Sequence, residues 1–373
     1  MKIVVIGTRG IPSILGGVET HCEELYPYLA KNFGHEITMI CRSCYVIDKK
    51  ITNYKGIRLK SIYAPRNKAF EAIVHSVLGI LYAGFKRPDI VHIHAVGPNL
   101  VAPLARLFGL KVVMTHHGPD YERKKWGKLA KFFLKGGEWA GVKFANKVIV
   151  ISNEIKKQIG KKYGRKDTIL IPNGVSIEGR PKYNKEVLDK YNVQQQKYIF
   201  SLGRFVPEKG FDYLIRSYEK AGISKHFKLV LAGDADHETD FSQSLKEQAR
   251  ISGVILPGFI KGEDLAQLFS NCALFILPSF YEGLPIALLE GMAYGLPILA
   301  SDIPANTQVG LPESCYFPAG DEELLSKRLV DVMEARYAAF YQDYNMENYD
   351  WKKIAESTNL VYSDLCRINA YKA

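Results

Sequence analysis

The sequence predicts an α/β protein of two domains in tandem, each a parallel sheet covered on both faces by helices. Three observations carry that prediction. The chain has 373 residues, about twice the length of an ordinary domain. From its first residue, short β-rich runs alternate with amphipathic stretches. That rhythm breaks once, near the middle, and then restarts.

The first series of β-rich runs covers residues 2–7, 36–41, 57–63, 89–94, 111–116, 147–152 and 168–172. Amphipathic stretches with helical spacing lie between most of them, as at 18–32 and 153–163. Residues 177–196 are polar and contain Gly179-Arg180-Pro181 and Gln194-Gln195-Gln196, which predicts a linker or an irregular connection. The second series is 197–203, 228–233, 254–256, 273–277 and 297–300, with a helix from Phe211. Residues 350–370 read as a helix with no strand after it. The predicted domains are therefore 1–180 and 195–349, with a C-terminal helix in 350–373 expected to pack back on the first. In doubly wound domains ligands sit at the carboxyl ends of the strands, near helix N-termini. Two facing domains would share a ligand in the cleft between them.

Composition excludes several classes. With 47% apolar and 24% charged residues, the chain is neither disordered nor collagenous nor fibrous. Six cysteines in a chain of this size do not make a disulfide framework. Cys41 and Cys44 form one CxxC with no second pair, which argues against a four-thiolate zinc site and for a structural role; a reducing, cytosolic compartment fits best. No signal peptide is expected, because the apolar start at 3–6 is only strand length. The mostly apolar run 72–84 is too short to span a bilayer, so any membrane is met from outside.

The net charge is +11, and it is local. Residues 111–166 hold fifteen basic and four acidic side chains, which leaves the rest of the chain balanced. A positive face suggests an anionic partner: nucleic acid, an acidic membrane surface or a phosphorylated substrate.

Three motifs carry chemistry. After the first strand comes Gly7-Thr8-Arg9-Gly10, then Gly16-Gly17 opening a helix. Backbone N–H groups and the helix N-terminus there suit a phosphate, although the loop is neither GxGxxG nor Walker A and also reads as a tight turn. The second domain opens with Arg204 and Lys209 flanking a strand-to-helix turn. Arg can fork onto two phosphate oxygens while Lys acts as a point charge, so the two make a cationic clamp; a solvated charge pair is the plainer reading. Finally, Glu282 and Glu290 are eight residues apart. Gly283-Leu284-Pro285 marks a helix start, so Glu282 lies just outside it and Glu290 about two turns in, on roughly one side. Two acceptors along one face can hold hydroxyls of an extended ligand, with a phosphate at the helix N-terminus. A sugar nucleotide has that pattern. Glu282 as a mere helix-terminal acid is the alternative.

These features together resemble the retaining glycosyltransferases of family four, which have the GT-B fold. The residues that carry the resemblance are Gly16-Gly17, Pro172-Asn173-Gly174-Val175, Gly203-Arg204 with Glu208-Lys209-Gly210, and the run from Glu282 to Glu290. Gly7-Thr8-Arg9-Gly10 and the segment from Thr115 through His117 to Trp126 look like the subgroup that builds bacterial surface polysaccharides.

The resemblance implies transfer of a sugar from a nucleoside-diphosphate sugar to a hydroxyl, with retention. Arg204 and Lys209 would neutralise the diphosphate leaving group, and Gly16 and Gly17 would let the backbone approach it. Glu282 would hold donor-sugar hydroxyls, helped by backbone N–H groups after Gly283, with Gly283, Leu284 and Pro285 all lining the donor, and Glu290 would hold the ribose. The loop with Phe259 and Ile260 would border the base. His117 would touch the donor sugar or acceptor, with Asp120 near the acceptor, while His116 points elsewhere. His92 and His94 share one strand face and read most simply as packed core histidines. The paired carboxylates are binders rather than the acid–base pair of a hydrolase. Asp234-Ala235-Asp236 mimics a metal-binding DxD, but the cations can replace a metal, so no metal and no cofactor are expected.

Residues 123–145 lie on a helical wheel with Lys124, Lys128, Lys131 and Lys135 in one stripe. Phe132 and Trp139 fall beside it, while Trp126, Leu129, Phe133, Ala140 and Phe144 fall opposite and are expected in the core. Aromatics beside a lysine stripe suit an anionic membrane surface; a solvated helix face is the alternative, and no nucleic-acid recognition motif is present. The leading expectation is a transferase peripheral to the inner face of the cytoplasmic membrane, with a polyprenyl-diphosphate-linked glycan as acceptor. A nucleotide-sugar epimerase or a non-catalytic sugar-nucleotide-binding protein would share the architecture.

Overall fold

The structure is a computed structural model, and it describes residues 1–46, 51–66, 70–122, 127–177, 179–235, 237–333 and 344–367. The chain divides into two compact units, 1–174 with 348–373, and 175–347.

The first unit runs β1 (Lys2–Ile6), α1 (Gly17–Phe33), β2 (Glu36–Arg42), β3 (Asn53–Tyr54), β4 (Ile57–Ile62), α2 (Glu71–Lys86), β5 (Ile90–His94), α3 (Ala102–Leu107), β6 (Val112–His116), α4 (Lys128–Phe144), β7 (Lys147–Val150), α5 (Asn153–Tyr163) and β8 (Ile169–Leu170). Its sheet has the order β3-β4-β2-β1-β5-β6-β7-β8. Every pair is parallel except β3 with β4. The chain first builds outward from β1 through β2 to β4, then returns to β5 and builds the other way. The reversal lies between β1 and β5, and a ligand crevice forms at such a switch point, outside the strand carboxyl ends.

The second unit runs α6 (Lys185–Lys190), β9 (Tyr198–Leu202), α7 (Phe211–Ala221), β10 (Lys228–Ala232), α8 (Asp240–Ile251), β11 (Ile255–Gly258), α9 (Gly262–Ser270), β12 (Leu274–Leu277), α10 (Ile286–Ala293), β13 (Ile298–Ser301), α11 (Pro304–Thr307), β14 (Tyr316–Phe317) and α12 (Glu322–Met333). Its parallel sheet has the order β11-β10-β9-β12-β13-β14, with the reversal between β9 and β12. The last helix, α13 (Trp351–Arg367), belongs to the first unit.

The helices are set by apolar spacing. In α1, Cys22, Leu25, Tyr26 and Leu29 recur at helical intervals and are buried, and Gly34 ends the helix in the left-handed region, its N–H donating to Ala30 O. In α13 the stripe is Trp351, Ile354, Ala355, Thr358, Val361, Tyr362 and Leu365. It joins the core made by Ile3, Val5, Leu25, Leu29, Ile37 and Met39. Each such large side chain contributes roughly 1.5–3 kcal/mol relative to exposure.

Two expectations are revised. The polar segment 177–196 is not a plain linker: it holds α6, belongs to the second unit, and anchors there through buried Val187 and Leu188. In addition, α4 begins at Lys128 and packs through Gly137 and Gly141 rather than through its large apolar residues. A Cβ on Gly137 would lie 2.3 Å from Val96 O, and one on Gly141 2.5 Å from Met114 Sδ. That close approach leaves Leu129 67% exposed and Phe144 at the helix end 37% exposed, contrary to the expected core positions; Ala140 is buried as expected. Trp126 lies outside the described residues.

Candidate active site

In the second unit, the loops after β9 and β12 meet at the switch point. Lys209 Nζ donates to Glu282 Oε1 at 2.5 Å, and Ser279 Oγ donates to the same oxygen at 2.7 Å. Both members of the ion pair are largely buried, with 18% and 12% of their side chains exposed. The backbone holds the two loops together: Phe280 N–H donates to Glu208 O at 2.8 Å, and Tyr213 OH donates to Pro278 O at 2.5 Å. Gly210 sits at φ 67°, and a Cβ there would lie 2.4 Å from Pro278 O, so the turn requires glycine.

The cationic clamp expected of Arg204 and Lys209 thus contains an acid. Glu282 pairs with Lys209 rather than standing alone, and Ser279, unnoticed in the sequence, completes the cluster. Arg204 follows β9 and is half-buried. Glu282 precedes α10, whose N-terminal flank is Gly283, Leu284 and Pro285, with the last two buried; Glu290 lies half-buried within α10. After β11, Ile260 is buried and Phe259 is 42% exposed. Gly233 N–H donates to Gly258 O at 2.8 Å, tying that loop to the carboxyl end of β10. Asp234 is paired with Lys246 Nζ at 2.7 Å, which satisfies its carboxylate within the protein; Asp236 lies outside the described residues.

In the first unit, the glycine loop after β1 is braced by Glu19. Its Oε1 accepts from Arg9 N–H at 3.0 Å and Thr8 Oγ1 at 3.3 Å. Gly7 has φ 104°, and a Cβ there would lie 2.2 Å from His94 O, so the loop passes tightly over the end of β5. Gly16 has φ 150° and packs against Glu19, while Gly17 opens α1 and is exposed.

His117 follows β6 and is half-buried. Its Nε2 lies 2.9 Å from His94 Nδ1. His94 Nε2 lies 2.6 Å from Tyr26 OH, and His92 Nδ1 lies 2.6 Å from Tyr362 OH and 3.0 Å from Tyr26 OH. His92 Nε2 then meets Thr115 Oγ1 at 2.7 Å. His21 bonds Asn173 Oδ1 through Nδ1 at 3.0 Å, with its ring on Trp351. His92 and His94 are therefore core histidines, as expected, but they form a bonded chain rather than mere packing.

Burial holds these rings neutral. It pushes His21 down to about 4 against the opposing bond from Asn173, and His92 down to about 3 with help from His21. His94 and His117 are lowered well below the usual range by burial and by neighbouring imidazoles. Nitrogens of His21, His94 and His117 lie within 4.8 Å of one another, a spacing that admits a metal ion. Two of the three rings already bond each other, however, which reads as a hydrogen-bond chain.

His116 points away from His117, as strand alternation requires. Its Nε2 bonds Glu138 Oε1 at 3.0 Å, and its Nδ1 accepts from Gly118 N–H at 3.1 Å, which fixes the turn that carries His117. Burial alone would raise the Glu138 carboxyl, but bonds from His116, Lys162 and Tyr163 bring it down to about 2. Asp120 opens the short helical turn 120–122. On α4, Lys128 and Lys135 are exposed and Lys131 half-buried, beside Phe132 at 71% and Trp139 at 50% exposure. Lys124 lies outside the described residues.

Comparison with known proteins identifies the family and the fold. Residues 184–351 match the model for glycosyl transferases group 1, and residues 15–178 match the model for glycosyltransferase family 4. An uncharacterised glycosyltransferase of Methanocaldococcus jannaschii is 26% identical over 97% of this chain and 98% of its own. The Escherichia coli UDP-Gal:alpha-D-GlcNAc-diphosphoundecaprenol alpha-1,3-galactosyltransferase is 27% identical over 82% of this chain and 81% of its own. Among solved structures, sucrose-phosphate synthase from Thermosynechococcus elongatus superposes with a TM-score of 0.81 at 22% identity, over 98% of each chain. The structural likeness shows the GT-B fold of two Rossmann-like domains, and one matched family model in each domain places the chain in the family-four glycosyltransferases.

Proposed function

We propose that this enzyme moves a sugar from a nucleoside-diphosphate sugar to a hydroxyl of a lipid-linked glycan, with retention, in the assembly of a bacterial surface polysaccharide. The observation that carries the proposal is the Lys209–Glu282–Ser279 cluster at the switch point of the second sheet. Breaking a glycosyl–phosphate bond leaves negative charge on the diphosphate and positive charge on the sugar. A preorganised ammonium and the N–H dipoles flanking α10 lower that barrier where the leaving group sits. In this structure Lys209 is paired with Glu282. A bound diphosphate takes over the ammonium, and the carboxylate turns to donor-sugar hydroxyls. Arg204 adds the second cation, Glu290 holds the ribose, Phe259 and Ile260 border the base, and no metal is required. The pairing of Asp234 with Lys246 supports that last point.

The acceptor is proposed to meet the first unit, with His117 and Asp120 close to it. A diphosphoundecaprenol acceptor in the name of the Escherichia coli relative supports a lipid-linked glycan. Among the described residues no helix is long and apolar enough to cross a membrane. We propose that α4 docks on an anionic bilayer surface, its lysines at the headgroups and Leu129, Phe132 and Trp139 in the interfacial layer. The test is a donor panel with a polyprenyl-diphosphate sugar, read by mass spectrometry. Nucleotide release that requires acceptor supports transfer; release or sugar conversion without acceptor rejects it in favour of hydrolysis or epimerisation.

A further inference from the structure

We propose that Tyr26, His94 and Tyr362 are positioning residues that hold His117 as a neutral imidazole with its proton on Nδ1. The inference deepens, and rests on, the reading of His117 as a substrate-facing group.

Tyr26, His92, His94 and Tyr362 are wholly buried and Thr115 nearly so, so their polar atoms are satisfied by one another. Each neutral imidazole has one donor nitrogen and one acceptor nitrogen. His92 Nδ1 faces two phenols, Tyr362 at 2.6 Å and Tyr26 at 3.0 Å, while its Nε2 faces only the Thr115 hydroxyl. A phenol is the more acidic donor, so Nδ1 accepts from Tyr362 and Nε2–H donates to Thr115. Tyr26 is then released to donate along its shorter contact, to His94 Nε2 at 2.6 Å. With that nitrogen accepting, His94 carries its proton on Nδ1 and donates to His117 Nε2 at 2.9 Å. His117 is left with its proton on Nδ1.

The consequence is chemical. With Nε2 occupied by His94, His117 offers substrate an N–H donor and no basic lone pair. It polarises or orients an oxygen and does not abstract a proton, which suits a transfer assisted by the leaving phosphate rather than by a protein base. The direction is decided by a phenol on α13, linked to the ring that it controls through His92, Tyr26 and His94.

The test uses the full-length protein labelled with 15N-histidine. Long-range proton–nitrogen spectra read each ring's tautomer, and His117 is assigned by its loss in His117→Asn. The expected result is Nδ1–H for His117 in the parent protein; Nε2–H there overturns the proposal without any further variant. Tyr26→Phe removes one oxygen from the chain and is expected to move His117 toward Nε2–H, with kcat down about tenfold and donor KM unchanged. Tyr362→Phe is expected to shift His117 the same way, because Tyr26 then turns its proton to His92. An unchanged His117 tautomer in Tyr26→Phe overturns the proposal whatever the activity. Full transfer activity in His117→Ala would instead remove the functional reading of His117 and leave the tautomer result standing.

Discussion

Acidification should loosen the first unit selectively, by an amount set by its buried histidines. Seven of the nine histidines lie in that unit, and the two in the second, His226 and His237, are exposed. Burial lowers His21 and His75 to about 4 and His92 to about 3. The folded pKa lies below the unfolded value, so the unfolded chain takes up protons that the folded chain refuses. Stability is therefore full above about pH 7.5 and falls as the pH drops through the unfolded value near 6.5. At about pH 5.5 each such histidine costs about 1.4 kcal/mol, so three cost about 4 kcal/mol. His94 and His117 shift in the same direction. Glu138 is silent in this window, because its lowered carboxyl near 2 matters only below the ordinary carboxylate range. Native-state hydrogen exchange at both pH values is the assay, with rates corrected for intrinsic pH dependence. Amides of β1, β5 and β6 should lose at least about a thousandfold protection, while those of β9 and β12 change little. Equal loss in both units, or none in the first, would refute the reasoning.

Other substitutions test the sites directly. Lys209→Ala should lower kcat by about 10²–10³-fold in the acceptor-dependent mass-spectrometric assay, with circular dichroism unchanged; near-parent turnover removes Lys209 from the mechanism. Replacing Lys128, Lys131 and Lys135 with Gln should release the protein from anionic vesicles in sedimentation, and the parent's binding should weaken with salt. Gly141→Ala places a methyl against Met114 Sδ and Asn99 Cβ; the expected loss is about 1–3 kcal/mol, read as a lower urea midpoint.

The positions of most strands were legible in outline, because buried parallel strands such as Ile3–Ile6 and Phe275–Leu277 are apolar on both faces and interrupted by polar turns. Less visible were β3 and β14, two residues each, which lack enough length to show a pattern. The position of Lys209 and Glu282 after two separate strands could be read, but not their pairing, since 73 residues separate them. His92 and His94 declared a shared face by their spacing of two. Their phenolic partners could not be foreseen: Tyr26 reads as an ordinary apolar position of α1, and Tyr362 lies 270 residues from His92. On α4 the wheel separated the faces correctly but chose the wrong one for Leu129, because backbone contact at Gly137 and Gly141 decides the packing.

The helix α13 makes the order of synthesis matter. When residue 174 has been made, the first unit still lacks Trp351, whose ring lies where a Cβ on Gly174 would be, and Tyr362, the partner of His92. A ribosome needs about 10 to 40 s to deliver them. Throughout that interval the first sheet has an open flank, and the histidine chain has no terminal donor. A product cut short just before α13 carries every glycine and carboxylate of the second unit but an unfinished first one. Completion of the first unit, and with it the proposed ordering of His117, therefore waits on the synthesis of α13.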